Sequence, residues 1–167
     1  MYRAIDLIDK FTDRIGRTIA WLTPGMVVLV VVSVILRYAF QFGSIALQES
    51  VMYVNALIFA FGAAYTLKEQ GHVRVDIFYS RLTQRHQALV DIFGASIFLL
   101  PSAAFIAWMS KDYVSVSWRV RESSPDPSGL PFVYLLKTTI LVLVAMLIIQ
   151  GISEMLKAIR RFNEAKS

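Results

Sequence analysis

The stretch SVMYVNALIFAFGAAYTL, residues 50–67, contains eighteen residues without a single charge. The same count finds three more such runs: Thr18–Leu36 (19 residues), Ile92–Ser110 (19) and Thr138–Ser153 (16). At about 1.5 Å per residue, a helix of nineteen residues is roughly 29 Å long and matches a hydrocarbon layer of about 30 Å. With 56% hydrophobic residues and a mean hydropathy of +0.57, the chain lies well above the soluble average. The reading is an all-α membrane protein with four transmembrane helices, about 18–40, 50–67, 90–110 and 131–153, in a single four-helix membrane domain over residues 1–167.

The fourth run is short unless its helix starts near Pro131 and takes Lys137 into its first turns. The long stem of Lys137 would then carry its ammonium back to the headgroups. Four spans put both termini on one side. Lysine and arginine are distributed unevenly: four precede the first span (Arg3, Lys10, Arg14, Arg17), four lie in the second connection (Lys68, Arg74, Arg81, Arg85), and four lie in the C-terminal tail (Lys157, Arg160, Arg161, Lys166). Arg37, Lys111, Arg119, Arg121 and Lys137 fall on the other side, so twelve against five predicts cytoplasmic N and C termini. That topology accounts for the net charge of +5 without nucleic acid. With no cysteine, the chain has neither a disulfide framework nor a thiolate metal site. The first apolar run exceeds a signal-peptide core and is read as a retained helix.

Before the first span, Ile5, Ile8, Phe11, Ile15 and Ile19 recur every three or four residues and form one apolar stripe. Two placements fit: an amphipathic helix along the cytoplasmic surface, or a projecting start of span one. A second amphipathic interfacial segment is expected over 77–93, leading into span three. In span two, Ala56, Ala60 and Ala64 form a small-residue face that lets another helix approach closely. Asn55, in the same span, is expected to make a structural hydrogen bond across a helix. Pro101 predicts a kink in span three. The third connection ends in three prolines and a glycine within seven residues (PDPSGLP), which stop the helix before span four.

Nothing in this pattern carries catalysis. The two histidines, His72 and His86, lie in the polar central connection rather than facing one another within a bundle, so no haem or metal is expected. No nucleophile turn or glycine-rich phosphate loop is present, and no cofactor is implied. Ion-coupled transport usually leaves an acid deep in a span, yet every Asp and Glu lies outside the four runs. Glu49 and Glu154 border spans, where structural pairing with Arg37, Lys137 or Lys157 is expected. In HVRVD, residues 72–76, His72, Arg74 and Asp76 alternate with valines. This reads as an ordered link whose Arg74 and Asp76 pair at the membrane surface.

RYAF (37–40), LQE (47–49), GAAYTLKEQGHVRVDIFY (62–79) and SGLPFVYLLK (128–137) together resemble the small membrane subunit of tripartite ATP-independent periplasmic (TRAP) transporters, the DctQ-like family. The third block is the most specific. The resemblance implies a bacterial inner-membrane subunit without a substrate or ion site of its own. It implies partners as well: a large elevator-type subunit (DctM-like), a periplasmic substrate-binding protein that delivers an organic acid, and surrounding phospholipid. Uptake would be driven by an ion gradient. Two other classes compete with this reading. A self-sufficient small transporter or channel would need an acid within a span, and a haem or quinone anchor of a respiratory enzyme would show a visible absorption spectrum.

Overall fold

The computed structural model describes residues 2–71 and 79–165, so His72, Arg74 and Asp76 lie outside the described residues. Helix α1 (Tyr2–Ala20) gives way at Trp21 to α2 (Leu22–Ala39). Next come α3 (Ile45–Lys68), α4 (Gln84–Phe93), a π-helical turn (Gly94–Leu99), α5 (Leu100–Val120) and α6 (Val133–Glu164). Four helical stretches are long and apolar enough to cross a membrane, and the described residues contain no strand.

Local chemistry sets the ends. The Ser44 hydroxyl caps α3 by accepting from the Leu47 N–H at 3.3 Å. Gln70, at a φ of 55°, closes the other end. The Gly71 N–H reaches back to the Thr66 carbonyl at 2.9 Å, and the Gln70 N–H to Leu67 at 3.2 Å. Arg121, at φ 49°, ends α5 in the same way, with Glu122 N–H bonding the Ser117 carbonyl at 3.0 Å. Pro101 falls in the first turn of α5, directly after the π-helical turn that absorbs one residue of register. Gly151 on α6 faces this turn, and a Cβ there would lie 2.8 Å from Leu99 Cδ2.

The spans stand in a row, in the order α2, α3, α6, α5. Helix α2 packs along α3, α3 along α6, and α6 along α5. No residue of α2 is buried, which fits an edge position with hydrocarbon on most sides. Ala60 and Ala64, at 2% and 0% exposure, are spent inside the chain, and Ala56 is half-buried beside them. Helix α1 packs on α3 and α6, while α4 packs on the far end of α6.

Candidate functional site

Among the described residues, the networks of bonded polar side chains gather at the two ends of this row. At the end holding both termini, α1 docks through its small and polar positions. Gly16 lies against the Tyr65 ring so closely that any Cβ would clash with it. One turn earlier Thr12, fully buried, donates to Gln150 Oε1 at 2.8 Å. Gln150, also fully buried, donates from Nε2 to Asp9 Oδ1 at 3.1 Å and to Glu154 Oε1 at 3.0 Å. Ser153 donates to Asp9 at 2.9 Å, and Lys157 bridges Asp9 at 2.6 Å and Glu154 at 2.7 Å. Gln70, at the end of α3, donates to the second Glu154 oxygen at 2.7 Å. Lys68 joins Asp13 and Glu69, both at 2.8 Å. The junction therefore ties α1, α3 and α6 together, with every fully buried polar group in it satisfied.

Electrostatics agree with this geometry. Burial pushes the Asp9 carboxyl upward, but bonds from Lys157, Gln150 and Ser153 outweigh it and leave Asp9 below its ordinary value. The Lys68 ammonium likewise holds Asp13 low. An open groove of about 810 Å³ borders the junction, lined by cations such as Arg3 and Arg160 together with Asp6, Asp9 and Glu154. Alongside it, Arg161 pairs with Asp91 at 2.8 Å, and Tyr79 donates to the same carboxylate at 2.9 Å, holding α4 to the α6 extension. Among the described residues, no three His, Cys, Asp or Glu side chains gather as metal ligands would.

At the opposite end, Glu49 corrects its expected pairing with a basic side chain. Its carboxylate instead accepts from the Ser124 hydroxyl and from the Leu130 N–H at 2.5 Å, clamping the α5–α6 loop. A Cβ at Gly129 would collide with Ser124 and crowd Glu49, so the loop closes over the carboxylate only with glycine there. Lys137 pairs not with Glu49 or Glu154 but with Glu122 at 2.5 Å, just past the end of α5, and sits 3.9 Å from the Tyr113 ring centroid. Its hydrogen bond holds the Glu122 carboxyl below its ordinary value. Trp118 donates to Thr138 at 2.8 Å and stacks edge-on with Tyr134 at 4.7 Å, joining α5 to α6.

Of the other residues singled out from sequence, Glu154 meets Lys157 as described, while Arg37 is exposed at the end of α2 without an ion pair among the described residues. Asn55 is exposed on α3, and among the described residues the expected hydrogen bond across a helix is not formed. Sequence reasoning missed Asp9, Thr12, Gln150 and Ser153. Their signal was present: Asp9, Thr12 and Gly16 share one face of α1, and Gln150 and Ser153 are polar positions ending an otherwise apolar run.

Among the described residues, the arrangement offers structural ties at both ends. Comparison with curated proteins and with solved structures finds no match. The family model described as "Tripartite ATP-independent periplasmic transporters, DctQ component" matches residues 26–161, most of the chain and all four spans nearly in full. That family associates with the other TRAP components, so the chain is a multi-pass membrane protein belonging to the DctQ family of TRAP transporter small subunits.

Proposed function

We propose that this chain is a non-catalytic scaffold in the bacterial inner membrane, one four-helix unit over residues 1–167 that fixes a large elevator-type subunit in place. The large subunit then performs ion-gradient-driven uptake of an organic acid handed over by a periplasmic binding protein. One observation carries this reading beyond family membership. Two acids that border spans are committed to structural bonds, Glu49 to the α5–α6 loop and Glu154 to Lys157, Gln150 and Gln70. In sequence every Asp and Glu lies outside the four uncharged runs, where an ion-coupling acid would be expected. The twelve-to-five bias of basic residues supports cytoplasmic termini, with the Glu49-clamped loop on the periplasmic side. Phospholipid surrounds the row, nucleic acid has no part, and the sodium gradient is the expected driving force.

Proteoliposomes test this directly. Vesicles holding only this chain should show no gradient-driven uptake, and co-expression with the large subunit should give a complex that survives detergent purification. Uptake by the chain alone would overturn the reading and favour a self-sufficient transporter.

A further inference from the structure

Helix α3 is shared among three neighbours, yet one side of it stays open. Gln48, Met52, Asn55 and Phe59 are all exposed, with Phe59 at 65%. Their spacing of four, three and four residues puts them on one helical face. Three residues further on, Gly62 continues the stripe, and a Cβ there would meet nothing within 4 Å. Tyr65 and Lys68, which meet α1, lie on a different side of the helix. Asn55 is ten residues from Ile45 and thirteen from Lys68 in the 24-residue helix, so its carboxamide stands near the middle of the bilayer.

Hydrocarbon cannot cover such a face. A carboxamide at that depth has two donors and an acceptor that lipid tails leave unsatisfied. Helix α2 shows what a lipid-facing surface looks like in this chain. Its exposed positions over the same depth are Val27, Val28, Val30, Val31, Val32, Val34 and Ile35, without a polar side chain among them. The α3 stripe is different in kind, with an amide at its centre, a protruding ring beside it, and a cleared glycine where another backbone can come close. We propose that this stripe is the docking face for a transmembrane helix of the large TRAP subunit, which places a hydroxyl or amide side chain opposite Asn55 and a close-packed backbone against Gly62. The proposal rests on the scaffold reading above and names the surface through which the scaffold acts. A second copy of this chain fits less well. In a symmetric parallel pair, Phe59 would meet its own copy and hold the helices apart at Gly62.

Photo-crosslinking in native membranes tests the assignment. Benzoylphenylalanine is placed at Met52, Asn55 or Phe59, with Val31 on α2 as the control, and the large subunit is co-expressed. The stripe positions should yield adducts with the large subunit and Val31 only lipid adducts. Adducts between two copies of this chain would overturn the choice of partner. Lipid adducts alone from the stripe, with the complex still co-purifying, would overturn the docking face while leaving the scaffold reading intact. Absence of any complex would sink the scaffold reading itself. In the same system, Asn55→Leu should lower co-purified complex about threefold, the worth of one interhelical hydrogen bond, with the yield of the chain itself unchanged. Equal recovery of complex would remove the hydrogen bond from the proposal.

Discussion

Replacing Gln150 with leucine should detach α1 from the row without unfolding the spans. Leucine keeps most of the volume of glutamine but removes three hydrogen bonds, one from Thr12 and one each to Asp9 and Glu154. The Thr12 hydroxyl is fully buried, and an orphaned buried donor costs about 1–3 kcal/mol; bonding to a carbonyl one turn back along α1 pulls this to about 1. Asp9 and Glu154 each lose one donor but keep Lys157, and both are partly hydrated, so about 1 kcal/mol apiece is reasonable. The sum is about 3 kcal/mol, or roughly a hundredfold more frequent opening of α1. Hydrogen–deuterium exchange of the 2–20 segment in nanodiscs reads this directly, with α3 and α6 as internal standards. Adding Thr12→Val should recover about 1 kcal/mol, because valine needs no partner, and the double variant should be less than additive. Unchanged exchange over α1 in Gln150→Leu would refute the claim that this buried network, rather than the apolar stripe, docks the helix.

Two further outcomes follow from the same geometry. Glu49→Ala should free the α5–α6 loop by removing its Ser124 and Leu130 contacts, raising proteolytic cleavage between Ser123 and Ser128 in right-side-out vesicles while leaving the spans intact; cleavage equal to wild type would show that the turn holds without the carboxylate. Asp9 and Asp13 both titrate below their ordinary values, so their contribution to α1 docking is fully present above the unfolded carboxylate pKa of about 3.9 and is lost as pH falls through the lowered folded values. Exchange of α1 should therefore be flat from about pH 7 to pH 5, after correction for intrinsic rates, and accelerate below about pH 4; acceleration already near pH 6 would contradict this assignment.

The four spans were legible because a charge-free run of bilayer length suits a bilayer and little else, and the bounds failed only where helices leave the hydrocarbon. Helix α6 runs on to Glu164, well past the end of its uncharged run at Ser153, because beyond the hydrocarbon an amphipathic surface against α1 and α4 sustains it as well as apolarity did. The side on which α1 docks was not legible, for a reason peculiar to membranes. In water an apolar stripe points inward; beside hydrocarbon it can equally point out. Phe11 on the stripe is accordingly 49% exposed and Ile5, Ile8, Ile15 and Ile19 are only half-buried, while Thr12 and Gly16 are buried. The same inversion explains the acids and the amides. Glu49 and Glu154 lay at span borders, and sequence placed them there, but Glu49 found backbone and hydroxyl donors in a loop 75 residues away instead of a cation. Asn55 and Gln150 are both amides inside apolar runs and read alike in sequence, yet Gln150 is wholly buried among polar partners and Asn55 faces outward. What separates them is which neighbour stands across from each. For Gln150 the neighbour is α1 of the same chain, supplying Thr12 and Asp9 from a helix outside the spans. Gln150 has its partners within the chain, and the docking proposal seeks that of Asn55 beyond it. On the scaffold proposal both kinds of contact have a use: the first ties α1 to the row, and the second gives the row a partner to hold.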